Sequence, residues 1–338
     1  MSSPNPPADG RTLVDTQGRV VRDLRISVTD RCNLRCVYCM PAEGMPWLPK
    51  EQLLSYEEIA RFAGVCLSLG VTGIRLTGGE PTVRKDLPVL VRMLHDLKPG
   101  LDLSLTTNAL KLEEMAEELR DAGLTRVNVS LDTLDRARFH QLARRDRFDD
   151  VIRGLEAAKR VGFSPIKINA VLMREFNGDE AVALAAWARE QNYEMRFIEW
   201  MPLDFQHQWD RSKLVSADEI LGQISAKFPL DAEAGQDPSA PATMYRYLDG
   251  RGRVGVIASV THPFCAQCDR IRLTADGQIR TCLFSLTEYD FRKAMRSGAS
   301  DHEIAELLRA AVWRKEPGHL INSPLFRQPE RGMSAIGG

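Results

Sequence analysis

Three cysteines near the N-terminus have the residue type and the spacing of a metal-cluster site. Their pattern is C-x3-C-x2-C, at Cys32, Cys36 and Cys39. Structural zinc sites use four protein ligands and most iron–sulfur clusters use four cysteines, whereas three cysteines leave one iron of a cubane cluster open to another ligand. We therefore expect an iron–sulfur cluster with one open iron. A structural zinc site completed by a distant residue is the alternative.

A second group of three cysteines lies towards the C-terminus. Its pattern is C-x2-C-x13-C, at Cys265, Cys268 and Cys282. His262 could complete a Cys3His zinc site, so zinc stays open for this group. Arg270 and Arg272 follow closely and alternate as on a strand, which places both on one side. Guanidinium groups beside a cluster with an open iron favour an anionic ligand.

Composition limits the class of protein. The chain has 338 residues, 43% of them apolar, and 45 basic against 46 acidic residues. This charge balance argues against a general nucleic-acid binder, and no segment has the roughly 20 apolar residues that span a membrane. The first ten residues are rich in Pro and Ser, which predicts a flexible tail and no secretory signal. We expect a cytoplasmic protein, in which thiols stay reduced and are free to bind metal.

Short β-rich runs alternate with amphipathic helical patterns through the first 200 residues. The runs cover 24–28, 73–76, 101–106, 126–131, 166–172 and 195–199. Such alternation predicts a parallel sheet, and six units are too few for an eight-stranded barrel. The predicted fold is α/β, an incomplete (β/α)6 TIM-like barrel with its site at the C-terminal strand ends. In the first predicted helix, Ser55 and Glu58 form a capping box and Cys66 falls on the core face.

The pattern changes near residue 210. A helix over 217–227 and strand-like runs over 244–248 and 253–259 indicate a smaller C-terminal region that carries the second cysteine group. We predict four parts: a flexible tail (1–15), the partial barrel (16–210), the C-terminal auxiliary-cluster region (211–325) and a double-glycine tail (326–338).

The first cysteine motif resembles the signature of the radical S-adenosylmethionine (SAM) superfamily, whose open iron binds SAM. Over about residues 20–338 the chain resembles, more narrowly, the GTP 3′,8-cyclase family of molybdenum-cofactor biosynthesis. The resemblance rests on both cysteine groups and on Thr77-Gly78-Gly79-Glu80-Pro81, Thr106-Thr107-Asn108, Phe197-Ile198-Glu199-Trp200-Met201-Pro202 and Gly337-Gly338. It implies two [4Fe–4S] clusters and SAM as cofactors. The implied reaction converts GTP to (8S)-3′,8-cyclo-7,8-dihydroguanosine 5′-triphosphate after a 5′-deoxyadenosyl radical removes the ribose 3′ hydrogen.

The resemblance also implies roles for individual residues. The cluster ligands are the six cysteines above. The implied SAM contacts are Tyr38, Gly79, Ser130 and Met201, with Glu80 and Asn108 beside them. The implied GTP contacts are Arg25, Arg75, Thr106, Lys167, Arg270, Ile271 and Arg272. The residues implied to be needed for catalysis are Arg25, Arg270, Arg272, Gly337 and Gly338.

Three features of the chain qualify this resemblance. Gly73 stands where many members have lysine, two residues before Arg75, which puts one phosphate contact in doubt. Ala109 replaces a glycine after Thr-Thr-Asn. The segment after residue 316 has no helical or strand periodicity and alone would predict disorder, whereas the resemblance implies that its last two glycines enter the active site.

The expected partners are GTP, a low-potential electron donor, the downstream cyclic pyranopterin monophosphate synthase and a second copy in a homodimer, with no nucleic acid and no membrane. Two alternatives remain open. A radical SAM peptide maturase with an auxiliary cluster would tend to carry more C-terminal cysteines. A non-catalytic binding module would hold zinc at both groups.

Overall fold

The structure is a computed structural model that describes residues 12–337. Most of the predicted tail (1–15) and Gly338 lie outside the described residues. Within them, Val14 pairs with Val20 in an isolated bridge and Asp15 is buried. No helix between residues 12 and 337 is both long and apolar enough to cross a bilayer.

The first two thirds of the chain alternate strands with helices. The strands are β1 (Asp23–Ser27), β2 (Gly73–Thr77), β3 (Asp102–Thr107), β4 (Arg126–Ser130), β5 (Ile166–Leu172) and β6 (Glu194–Glu199). The helices are α1 (Tyr56–Ser68), α2 (Leu87–Leu97), α3 (Leu112–Asp121), α4 (Arg136–Ala143), α5 (Phe148–Arg160), α6 (Ala181–Gln191) and α7 (Ala217–Lys227). Consecutive strands pair in parallel. The six predicted strands are confirmed, each end within one residue.

Helix α1 begins where its sequence predicts. The Ser55 hydroxyl accepts a hydrogen bond from the Glu58 main-chain N–H, and the Glu58 carboxylate accepts one from the Ser55 N–H, so two free amides at the helix start gain partners. Cys66 lies on the buried face, as predicted, and is completely inaccessible to solvent.

The C-terminal third adds strands to both edges of the same sheet. They are β7 (Leu230–Ala232), β8 (Thr243–Tyr247), β9 (Arg253–Ile257), β10 (Arg270–Leu273), β11 (Gln278–Arg280) and β12 (Tyr289–Asp290). The remaining helices are α8 (Phe291–Arg296), α9 (Asp301–Trp313) and α10 (Met333–Ile336). The sheet order is β12-β11-β10-β1-β2-β3-β4-β5-β6-β9-β8-β7. Strand β9 is parallel to β6 and β10 is parallel to β1, so the region predicted as an appendage extends the central sheet.

The fold class is confirmed as α/β with a parallel sheet at its centre and helices on the outside. On β1, Leu24 and Ile26 are buried in the apolar core. Arg25 and Ser27 alternate with them and so point to the opposite, inner face. The ends of the parallel strands therefore carry their polar side chains into one shared space.

Candidate active site

A cavity of about 310 Å³ lies at the C-terminal ends of the parallel strands. Both cysteine groups line its wall, one after β1 and the other around β10 and β11. A ligand in this space contacts residues from both halves of the chain. The two predicted cluster sites thus face one compartment.

The N-terminal thiols are buried but receive hydrogen bonds. Burial raises the pKa of Cys32 to about 12 and that of Cys39 to about 11. The Leu34 N–H donates to the Cys32 sulfur at 3.4 Å, and Ser334 of the C-terminal tail hydrogen-bonds Cys39. Buried thiolates need a nearby positive charge, such as a metal centre, to stabilise their negative charge. N–H donors to sulfur are typical of iron–sulfur sites.

The C-terminal thiols have a more cationic environment. Burial alone would raise the pKa of Cys268, but Lys315 and Arg270 outweigh it and lower that pKa to about 7. Main-chain groups of His319 and Phe284 hydrogen-bond Cys265 and Cys282. Each sulfur of this group therefore also has a donor that stabilises its thiolate.

A zinc ion and a polynuclear cluster place different geometric demands on the thiols. Over residues 12–337 no three Cys, His, Asp or Glu side chains converge as ligands of one metal ion. Tetrahedral zinc needs its sulfurs within about 2.3 Å of one centre, whereas a cubane binds each thiolate to a different iron. His262 is exposed and lies 3.2 Å from Asp218, so nothing supports its role as a zinc ligand.

The Gly78-Gly79 segment is packed against the loop that carries the first cysteines. A Cβ at Gly79 would collide with the carbonyl oxygens of Asp30 and Arg31. The Gly79 N–H donates to the Thr29 carbonyl at 2.7 Å. Glycine is therefore required here for the approach of two protein loops, and Gly79 also lines the cavity.

Glu80 stabilises this loop from inside. Its buried carboxylate accepts hydrogen bonds from Thr82, from the Thr107 hydroxyl at 2.7 Å and from the Asn108 N–H at 2.6 Å. Burial raises the pKa of Glu80. The Asn108 side chain donates to Asn33 at 2.7 Å and lies 3.9 Å from the Cys32 sulfur. Contacts of Glu80 and Asn108 with SAM stay a prediction.

The other predicted SAM residues also line the cavity, at Tyr38, Ser130 and Met201. The Tyr38 hydroxyl donates to Asp132 at 2.7 Å, and the Val171 N–H donates to the second Asp132 oxygen at 2.8 Å. Burial raises the pKa of Asp132 to about 6. Asp132 is a cavity residue that the sequence analysis missed, because a single aspartate after a strand has no spacing signal.

Five arginines line the cavity, at Arg25, Arg75, Arg196, Arg270 and Arg272. Three of them form a row on adjacent strands, since Arg25 is in register with both Arg75 and Arg272. Burial and then the charge of Arg75 lower the pKa of Arg25; burial, Arg25 and Arg270 lower that of Arg272. Guanidinium groups remain charged, so these shifts measure an electrostatic cost that a bound anion would relieve.

Lys167 lies near this row but is not among the residues that line the cavity, whereas Arg196, which the sequence analysis missed, does line it. Burial, followed by the charge of Arg196, lowers the pKa of Lys167 to about 8. Its ammonium nitrogen is 3.7 Å from Glu194, which also accepts a hydrogen bond from Arg196 at 2.7 Å. Arg196 alternates with apolar residues on β6, which is the one signal that could have placed it on the inner face.

Two further predicted GTP residues differ in position. Thr106 lines the cavity, and its hydroxyl accepts a hydrogen bond from Asn128 at 3.3 Å. Ile271 belongs to the apolar core on the outer side of the sheet and does not line the cavity. There is room for a side chain at residue 73, because a Cβ there would lie 3.6 Å from the Asp102 carboxylate, an ordinary van der Waals distance. Ala109 adopts a left-handed conformation, with φ +63°, where the related glycine would be unstrained.

The C-terminal tail reaches the cavity. Met333 and Ser334 line its wall, and the Gly337 carbonyl accepts a hydrogen bond from Arg272. A Cβ at Gly337 would lie 2.5 Å from the Thr77 hydroxyl, and the residue has φ +75°. Both observations favour glycine at this position.

Comparison with known proteins identifies the family. Residues 26–188 match the Radical SAM superfamily model and residues 193–321 match Molybdenum Cofactor Synthesis C. The GTP 3′,8-cyclase of Streptomyces coelicolor is 53% identical over 328 residues, which cover 96% of each chain. The chain belongs to the GTP 3′,8-cyclase family. That of Mycolicibacterium smegmatis is 51% identical over 98% of this chain and 93% of its own. The family uses SAM and two [4Fe–4S] clusters.

Solved structures show the same fold. Streptococcus suis SuiB superimposes with a TM-score of 0.59 over 94% of this chain and 77% of its own, at 16% identity. A structure of SuiB bound to precursor peptide SuiA has a TM-score of 0.54 at 15% identity. At this identity the likeness concerns the fold alone and gives no weight to a peptide substrate here.

Proposed function

We propose that this chain, a radical SAM lyase of the GTP 3′,8-cyclase family, binds GTP between its two cysteine groups and converts it to (8S)-3′,8-cyclo-7,8-dihydroguanosine 5′-triphosphate. The observation that carries the proposal is the row of Arg25, Arg75 and Arg272, a buried excess of positive charge at the level of the cavity. A triphosphate carries enough negative charge to balance it.

The cysteines would hold the two clusters. The clusters, rather than protein side chains, would supply the redox chemistry. With SAM bound, these groups would supply a radical able to remove the C3′ hydrogen and an open iron able to bind a ligand. Burial and the N–H donors to the sulfurs support both ligand sets.

The chain's own residues would orient the substrates. Arg25, Arg75, Arg272 and Lys167 would hold the triphosphate, while Arg270, beside Cys268, would direct the purine towards the second cluster. Tyr38, Asp132 and the loop of Gly79 would position SAM at the first. Orientation of this kind contributes to catalysis because it fixes the reacting carbon near the radical source.

The tail would close the compartment. Arg272 lines the cavity and also donates a hydrogen bond to the Gly337 carbonyl. One guanidinium group would therefore link phosphate binding to the position of the tail. A closed compartment excludes water and protects a radical from side reactions. We extend the proposal to Gly338, which follows Gly337 in the chain.

The deciding experiment follows the C3′ hydrogen. Reconstituted protein is incubated anaerobically with SAM, a reductant and GTP deuterated at C3′, and the 5′-deoxyadenosine is analysed by mass. Deuterium in that product supports the proposal, and GTP deuterated at C2′ is the matched control. Unlabelled 5′-deoxyadenosine from the C3′-deuterated substrate would contradict the proposed step.

Metal analysis separates the enzyme from a zinc-stabilised module. We expect about eight irons per chain after anaerobic purification, two cubanes of four. Two tightly bound zinc ions would overturn the proposal. A low-potential electron donor, the downstream synthase as recipient of the product, a homodimeric state and a cytoplasmic location remain parts of the proposal, supported by family membership.

A further inference from the structure

Lys315 is a buried cation behind the wall of the cavity. It follows α9 at the start of the C-terminal tail, and only 3% of its surface is exposed. Its ammonium group donates to the Arg270 carbonyl at 2.7 Å and to the Thr281 carbonyl. The residue does not line the cavity, so the function proposed above leaves it without a role.

The charge of Lys315 acts on the thiols of Cys268 and Cys282. Among residues 12–337, no carboxylate lies within ion-pair distance of it. The neighbouring carboxylate of Glu316 instead accepts hydrogen bonds from the hydroxyls of Thr281 and Ser285. Two carbonyl acceptors also leave the third ammonium proton unmatched within the described chain. A buried charge without a partner is costly, which indicates a negative group that is part of the complete enzyme.

The two carbonyls place this ammonium at the second cysteine group. Thr281 directly precedes Cys282, and Arg270 is the second residue after Cys268. A [4Fe–4S] core of charge +2 with three thiolates has a net charge of −1, which becomes −2 on reduction. An adjacent ammonium therefore stabilises the reduced form more than the oxidised form.

The two cysteine groups have different electrostatic neighbours. The carboxylates of Glu80 and Asp132 act on Cys32 and Cys36 and disfavour negative charge there. Around Cys268 the cations Lys315 and Arg270 favour negative charge, while the carboxylate of Glu316 opposes it at Cys282. Arg270 also lines the cavity, whereas Lys315 lies behind its wall.

We propose that Lys315 is a positioning residue for the C-terminal cluster: it ties together the segments beside β10 and β11 that carry Cys268 and Cys282, and it raises the reduction potential of the cluster they bind. The inference rests on the proposed cluster at this site. The reduction potential of the second cluster is then higher with the Lys315 side chain than without it.

The test measures the potential of that cluster by itself. The full chain with Cys32, Cys36 and Cys39 replaced by alanine is reconstituted anaerobically and titrated with a redox dye series, with reduction followed by electron paramagnetic resonance. Lys315→Met keeps the length of the side chain and removes its charge, Lys315→Arg keeps the charge, and Lys293→Met on the exposed side of α8 is the control.

We expect Lys315→Met to disfavour reduction about tenfold, a shift of about 59 mV to lower potential for one electron. Lys315→Arg and Lys293→Met should stay close to the parent. Loss of iron in Lys315→Met with retention in Lys315→Arg would equally support the proposal. An unchanged potential in iron-loaded Lys315→Met, or an equal shift in Lys315→Arg, would overturn it. A parent chain with no iron at this site would overturn the proposed cluster as well.

Discussion

The row of Arg25, Arg75 and Arg272 shows how adjacent residues of a parallel sheet can form an anion site. In-register residues on neighbouring strands lie about 5 Å apart, so three guanidinium groups repel each other unless an anion separates them. Asp23 is the nearest compensating group, 3.8 Å from the Arg25 Nε. Side chains arranged in this way are ready to bind phosphate before GTP arrives.

Lys167 should make GTP binding depend on pH. Its pKa of about 8 in the free protein means that the ammonium is partly neutral at pH 8. A nearby triphosphate favours the charged form and raises this pKa, so binding takes up protons and the Kd rises as pH increases through about 8. Calorimetry at pH 8 in two buffers of different ionisation enthalpy should detect on the order of half a proton per GTP. Lys167→Arg, charged throughout, should abolish the uptake; equal uptake in both proteins would refute the assignment.

Gly73→Lys should strengthen GTP binding. Residue 73 is on the same face of β2 as Arg75, and a Cβ there would make only ordinary van der Waals contacts, with Asp102 at 3.6 Å and the Arg22 carbonyl oxygen at 3.9 Å. One additional phosphate contact should lower the Kd two- to tenfold, about 0.4 to 1.4 kcal/mol. Gly73→Met adds comparable bulk without charge and is the control. Equal Kd values for the lysine and methionine variants would show that the charge does not reach the nucleotide.

Individual site residues could be predicted from the sequence where several of one type recur at a fixed spacing. The six cysteines were placed by their spacing within two short segments, and all six line the cavity. Arg196, within β6, and Asp132, just after β4, were missed because each is a lone polar residue with no spacing signal, a pattern shared with many solvent-exposed residues. The family resemblance named Ile271, although its side chain faces the core.

The tail is the element that most depends on residues far away in the chain. Arg19 donates to the carbonyl oxygens of Cys265 at 2.7 Å and Glu316 at 2.6 Å, while Arg272 donates to Gly337. Two arginines from opposite ends of the sequence thus determine its path. This explains how a segment without periodicity is ordered: these contacts are made to its main-chain carbonyls, which no pattern of its own side chains encodes, and the Arg331–Asp276 ion pair adds to them.

Gly337→Ala should displace the end of the tail. The new methyl group would lie 2.5 Å from the Thr77 hydroxyl oxygen, and a left-handed backbone costs alanine about 1–2 kcal/mol. We expect the rate of product formation to fall at least tenfold with the iron content unchanged. Thr77→Ala removes the hydroxyl. In a chain that carries Thr77→Ala, the further change Gly337→Ala should therefore lower the rate by a smaller factor than it does in the parent. Full activity of Gly337→Ala would mean that the close packing at Thr77 is irrelevant to turnover.

Elements were predicted unevenly, for a physical reason. Strands β1 to β6 follow the alternation of strand and amphipathic helix, a local signal present in each unit. Strands β9 and β10 join the same sheet, but their neighbours β6 and β1 are distant in sequence and their connections lack the strand–helix rhythm. The division into a barrel and an auxiliary region therefore stays a prediction about folding units, while the sheet itself is continuous.

For the molecule as a whole, the excess of cavity cations predicts stabilisation by polyanions. A ligand that binds only the folded state adds about 2.7 kcal/mol to the free energy of unfolding at 100 times its Kd. Inorganic triphosphate should raise the Tm of the cluster-loaded protein, and guanosine at the same concentration should raise it less. Arg75→Ala should reduce the response to triphosphate. Greater stabilisation by guanosine would indicate that the purine, rather than the charge, dominates binding.

The position of β1 in the sheet has a consequence for biosynthesis. This strand is among the first to leave the ribosome, yet one of its two neighbours, β10, is among the last strands to be made. Until Arg270–Leu273 emerges, the edge of β1 exposes unpaired main-chain groups, which can pair with other chains. The segment with Cys32, Cys36 and Cys39, the proposed ligands of the first cluster, directly follows β1. We therefore expect co-expression of a chaperone to raise the yield of this enzyme more than the yield of proteins whose sheets close in chain order.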